Sequence, residues 1–148
     1  MKYRDYEHHA KYYETDQMGI VHHSNFIRWM EEARVDMLDQ IGMNFRRVEE
    51  AGLVSPVLAV SGEYRRMVHF DDTVVIHTAL KAYGGLRFVI GYEMRLKDTG
   101  EVCFVGESRH CFLTREGRPA SLKRVRPEWD AILRELLEAG TGDSENNS

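Results

Sequence analysis

The sequence predicts an α+β domain in which an antiparallel sheet curls around one long central helix. Two stretches of apolar spacing and the turns between them point to it. Phe26, Trp29, Met30, Ala33, Met37 and Ile41 recur at the three-to-four-residue spacing of a helix. After Gly52 the period changes to two, most strictly in Leu86, Phe88, Ile90, Tyr92, Met94 and Leu96. Asp71-Asp72, Gly84-Gly85 and Asp98-Thr99-Gly100 punctuate the strand-like runs with turn chemistry. A sheet curled around a single apolar helix buries both apolar faces at once, which is the layer logic of an α+β domain.

Taken in order, residues 3–13 are rich in Tyr and His and alternate poorly, so periodicity gives little support for a strand there. The long helix opens with Ser24 as N-cap and stops at Gly42. Its polar face carries Arg28, Glu32, Asp36 and Asp39, while Arg34 falls inside the apolar arc between Met30 and Leu38. A buried arginine needs a partner, and Glu31 at i−3 or a symmetry-related chain can supply the carboxylate. A short helix over 44–51, stopped by Gly52, leads into strands over 54–67 and 73–82, then 86–96 and 102–112. The sum is four or five mainly antiparallel strands. Pro127 suits the first position of a last helix running through Ala139. Residues 1–139 thus read as one domain, and 140–148 as a flexible acidic tail.

Composition narrows the function classes. The chain of 148 residues is 43% hydrophobic and 30% charged, as in soluble globular domains, with a net charge of −4 that offers no basic field for nucleic acid. No apolar run approaches the roughly 20 residues of a membrane span, and the first residues lack the apolar core of a signal peptide. A cytoplasmic location without membrane insertion is the expectation. Cys103 and Cys111, eight residues apart on one extended strand, would lie about 27 Å from each other, so they are expected as free buried thiols. His8-His9 and His22-His23 lack the spacing by which several ligands converge on one ion, so no metal is expected.

The chemistry concentrates in residues 13–26, Y-E-T-D-Q-M-G-I-V-H-H-S-N-F. They place the carboxylate of Asp16 just before a helix N-terminus, in a loop loosened by Gly19. A helix start presents unpaired N–H groups and a positive dipole end, which can hold a developing oxyanion while a nearby carboxylate attacks or takes a proton.

This stretch resembles the signature of hotdog-fold acyl-CoA thioesterases of the 4-hydroxybenzoyl-CoA thioesterase group, including the YbgC-like and FadM-like branches. Tyr13, Glu14, Thr15, Asp16, Gly19, Ile20, Val21, His23, Ser24 and Asn25 sit in register with the family pattern, and Glu31 and Arg34 match an acidic and basic pair further along its helix. Phe70-Asp71-Asp72 and Gly117-Arg118-Pro119 are similar to the family's later turns. His22 stands where an aromatic residue is common and Phe26 where Tyr is usual, departures that bear on the acyl pocket. The resemblance implies a hotdog fold with a first strand within residues 3–13, hydrolysis of acyl-CoA to free acid and CoA, and Asp16 as nucleophile or general base. It also implies that the backbone N–H of His23 is the oxyanion donor. Gly19, Val21, His22, Asn25 and Glu31 are the candidate substrate-binding positions, with Asn25 suited to tying loop to helix and Glu31 to a structural pair with Arg34. The expected partners are an acyl-CoA substrate and a second copy of the chain, as homodimer or homotetramer, with acyl carrier protein a further candidate. No cofactor is implied, since coenzyme A belongs to the substrate. The alternative is a noncatalytic module of the same fold that binds acyl-CoA or acyl carrier protein.

Overall fold

Apolar spacing becomes architecture along the order β1 (Tyr6–His9), a 3-10 turn (Tyr12–Glu14), α1 (Ser24–Gln40), α2 (Phe45–Glu50), β2 (Leu53–Val54) and β3 (Val57–Tyr64). It continues through β4 (Thr73–Tyr83), β5 (Arg87–Leu96), β6 (Val102–Cys111), β7 (Leu113–Thr114), α3 (Leu122–Val125) and α4 (Pro127–Asn146). The computed structural model describes residues 2–146, with side chains described to Gly140. β1-β4-β5-β6-β3 form one antiparallel sheet, and β2 and β7 pair separately. Pro56 lacks the N–H a continuous strand needs, so the run expected over 54–67 divides into β2 and β3.

α1 lies against the inner face of this sheet. Phe26, Trp29, Met30, Ala33 and Met37 are buried there with Ile76, Ile90, Met94 and Phe104 from β4, β5 and β6, and the Phe26 and Phe104 rings stack with centroids 5.1 Å apart. The sheet comes close at Gly106, where an added Cβ would stand 2.7 Å from the Ser61 carbonyl and 3.1 Å from the Met30 sulfur. Only glycine fits that contact. The N-cap of α1 is His23, not Ser24, and Gly42 at φ 91° ends the helix region as expected. Ser24 instead places its hydroxyl 2.8 Å from His22 Nδ1.

α4 closes the far side through Trp129, Leu133 and Leu136, with Tyr83 donating to Asp130 at 2.5 Å and Arg134 donating to the other Asp130 oxygen at 3.0 Å. Its backbone continues through Asn146, past the expected end at Ala139, because Gly140 does not turn to the positive φ that would cap it. The tail expected from residue 140 therefore begins within helix, and residues 147 and 148 lie outside the described residues. Among the described residues no helix is long and apolar enough to cross a membrane. Cys103 and Cys111 both sit on β6 as buried free thiols, and burial pushes the Cys103 thiol up to about 11.

β3 is an open edge of the sheet. It pairs only with β6, all eight of its residues are exposed, and Val57 (51%) and Leu58 (53%) stand half in solvent. A long apolar edge strand with free hydrogen-bonding groups is a surface that proteins ordinarily cover.

Candidate active site

The loop before α1 is a small closed structure built on Asp16. The Asp16 N–H donates to the Ile20 carbonyl at 2.9 Å, Gly19 at φ 79° donates back to the Asp16 carbonyl at 3.0 Å, and Met18 N–H donates to Asp16 Oδ1 at 2.8 Å. One carboxylate oxygen thus shapes the turn. The other, Oδ2, accepts no hydrogen bond among the described residues. The loop is docked by Val21 N–H on the Val68 carbonyl at 2.7 Å.

Asp16 and His23 line one cavity of about 360 Å³, together with Val21, Phe26, Tyr64 and Met67. The geometry of the helix start selects the donor. Ser24 N–H donates to His22 Nδ1, Asn25 N–H to the His22 carbonyl and Phe26 N–H to the His23 carbonyl, whereas the His23 N–H has no acceptor among the described residues. Asp16 and His23, each with one polar group that has no partner among the described residues, thus line one cavity at the positive end of a helix. Tyr64 also lines it, with its hydroxyl donating to the His23 carbonyl at 2.9 Å and its ring meeting Phe26 edge-on at 5.2 Å.

Beneath the loop lies a buried carboxylate, Glu14. It accepts from Lys11 N–H at 2.8 Å, His8 Nε2 at 2.8 Å and the Trp29 indole at 2.7 Å, and its backbone carbonyl takes His22 N–H and the Asn25 amide, each at 2.8 Å. Burial alone would raise its carboxyl, but the bonds from His8, Lys11 and Trp29 outweigh this and hold it below the ordinary carboxylate range. His8 in turn sits between Glu14 and Glu32, the latter at 3.0 Å. Glu14 therefore joins β1, the loop before α1 and α1 itself.

Comparison of this chain with known proteins decides its family. The family model described as "Thioesterase-like superfamily" matches residues 11–136. The chain belongs to this superfamily. A Bacillus subtilis (strain 168) relative named "Putative acyl-CoA thioesterase YneP" is 33% identical over 121 residues, covering 81% of this chain and 87% of that protein. A solved DHNA-CoA thioesterase from Staphylococcus aureus superposes with a TM-score of 0.88 at 27% identity, covering 95% of this chain and 94% of the other. A 1,4-dihydroxy-2-naphthoyl-CoA hydrolase from Thermosynechococcus vestitus is 23% identical over 111 residues, covering 74% of this chain and 75% of that one. The fold is the hotdog fold, and membership in the thioesterase-like superfamily supports thioester hydrolysis in general.

Set in this thioesterase-like fold, the residues singled out in the sequence separate into three groups. Asp16, Val21 and His23 meet in one cavity. Gly19, His22 and Asn25 do not line it: Gly19 turns the loop, exposed His22 stacks on His23 with ring centroids 4.2 Å apart, and buried Asn25 ties the loop to the helix and accepts from Arg28 at 3.1 Å. Glu31 lines a second cavity of about 270 Å³ between α1 and the β3 edge. Sequence reasoning misses Tyr64, Glu14 and His8 as parts of the site. Tyr64 carries no local signal, being 41 positions from the backbone group it binds, whereas the register of Glu14 within the motif is a signal that could have found it.

The second cavity corrects the expectation for Arg34. Its guanidinium does not form an ion pair with Glu31 among the described residues; Nη1 donates instead to His110 Nδ1 at 2.8 Å, 76 positions away. His110 Nε2 donates to Ser108 Oγ at 2.7 Å, and that oxygen is 2.6 Å from the Tyr92 hydroxyl. The reason is helical geometry: Arg34 points into the sheet while Glu31 stays exposed on the helix surface. Burial and then the Arg34 charge push the His110 imidazole from 6.5 down to about 4. The folded state thus keeps His110 neutral where the unfolded chain protonates it. Stability is expected to fall as pH drops from 6.5 toward about 4, by at most about 3 kcal/mol from this group. Urea unfolding of wild type and His110→Gln across that window checks it: the variant should lack this share of the pH dependence.

Proposed function

We propose that this chain hydrolyses acyl-CoA thioesters, with Asp16 as nucleophile or general base and the His23 N–H as oxyanion donor. The observation that supports the reading is the cavity that Asp16 and His23 line together, each keeping one polar group without a partner among the described residues. The names of the relatives above accord with it. Thioesters resist water mainly for want of a well-placed nucleophile, so an aimed carboxylate or carboxylate-bound water suffices. In the reaction the carbonyl carbon gains an oxygen that comes from water, the carbon–sulfur bond breaks, and the sulfur leaves as CoA thiol carrying a proton. The working unit is a homodimer joined along the exposed edge of β3, which pairs that edge's free backbone groups and covers Val57 and Leu58.

A thiol-release screen over aliphatic and aromatic acyl-CoAs tests the reading. Turnover of at least one substrate is the expected result. Binding of acyl-CoA with no thiol released from any member of the panel would replace it with the noncatalytic module.

A further inference from the structure

Two glycines face each other across the sheet beneath α1. Gly62 on β3 pairs with Gly106 on β6, between the pairs Val60–Ser108 and Tyr64–Phe104. Glycine gives up packing in a strand, and it marks a place where another group comes close to the backbone. Here that group is the Phe104 ring. A Cβ built on Gly62 would fall against the ring, and one on Gly106 would stand 2.8 Å from it and 3.1 Å from the Met30 sulfur. Buried Phe104 and Met30 therefore fill a slot that the two strands leave open.

The slot stands between the two cavities of a single protomer. Phe26 and Tyr64 line the Asp16 cavity, whereas Met30, Val60 and Ser108 line the second one. On β3 the order is Val60, Gly62, Tyr64, so the glycine pair marks the step from one cavity to the other. The Phe104 ring is 5.1 Å from the Phe26 ring and 5.1 Å from the Tyr64 ring, which puts it behind two residues that line the Asp16 cavity.

We infer that Phe104, with Met30, is a plug that sets how long an acyl group the Asp16 cavity accepts. The favoured substrates are compact acyl groups, short chains or a single aromatic ring, that end at Phe26 and Tyr64. Emptying the slot over Gly62 and Gly106 lets a longer chain run on between α1 and β3 toward the second cavity. Phe104 is thus a specificity residue that acts through the two rings in front of it. This inference rests on the thioesterase reading, and the test separates the two.

The test measures kcat/KM over straight-chain acyl-CoAs and over single-ring acyl-CoAs bearing para-alkyl groups of growing length. Its readout is the ratio of a substrate about three methylenes longer than the best one to that best one, each methylene taken out of water being worth about fourfold. Phe104→Ala should raise the ratio by about tenfold to a hundredfold and move the best length upward. Phe104→Leu, a smaller truncation, should raise it by about fourfold and decides the matter if Phe104→Ala does not fold. Adding Gly62→Ala to the truncated protein returns a methyl group to the slot and should lower the ratio again by about fourfold, which a general loosening of the core would not do. A wild type already fastest on the longest substrates, a ratio unmoved in folded and active Phe104 variants, or a raised ratio indifferent to Gly62→Ala overturns the inference and leaves the thioesterase reading standing. No thiol release by wild type from any acyl-CoA overturns both.

Discussion

Asp16→Asn should lower thioester turnover by about a hundredfold to ten-thousandfold, the range over which a positioned acid or base acts, while leaving the loop in place. The asparagine carbonyl can still accept the Met18 N–H that Oδ1 holds at 2.8 Å, so the turn survives. What disappears is the second, unsatisfied oxygen, which can no longer attack or take a proton. The loss should therefore fall on kcat more than on KM. Steady-state thiol release on the best substrate measures this directly, and a variant at full rate would remove Asp16 from the chemistry. Asp16→Ala loses the Met18 bond as well and should also disturb KM. A single turnover of wild type in labelled water tests covalent attack: heavy oxygen found in the Asp16 carboxyl shows that the carboxylate attacked and that water then opened the resulting anhydride at the Asp16 carbon.

Glu14→Ala should destabilise the fold by about 3–5 kcal/mol, since it leaves several buried donors without an acceptor at once. His8 Nε2, the Trp29 indole and the Lys11 N–H lose their acceptor together. Glu14→Gln should cost less, because the amide oxygen can still accept from Trp29 while its nitrogen meets an unsuitable donor. The carboxyl is depressed in the folded state, so its contribution is present at neutral pH and is lost as pH falls through the folded value. Chemical denaturation followed by tryptophan fluorescence measures both effects, Trp29 being in direct contact with the carboxylate. Equal stability of Glu14→Ala and wild type would contradict this role.

The legible parts of the molecule are those in which neighbours in sequence are neighbours in space. The apolar arc from Phe26 to Met37 is a helical face, the alternation from Phe88 to Met94 is a strand with one buried side, Asp16 and Gly19 close one loop, and Asp16 and His23 line one cavity seven residues apart. The departures from expectation have equally local causes. Ser24 has the residue type of a cap, yet the backbone enters the helix one residue earlier. Pro56 breaks a strand that periodicity alone would continue, and Gly140 lies within a helix that its residue type would be expected to end.

By itself the sequence determined the α+β class, the central helix, and the acid placed beside a helix start, because periodicity and capping act over three to seven residues. Only the tertiary structure decided that Tyr64 faces His23, that Arg34 answers to His110 and not to Glu31, and that β3 is an open edge. Those depend on the strand order β1-β4-β5-β6-β3. A side chain's partners across a sheet are set by which strands lie side by side, and residue spacing along one chain carries no record of that choice.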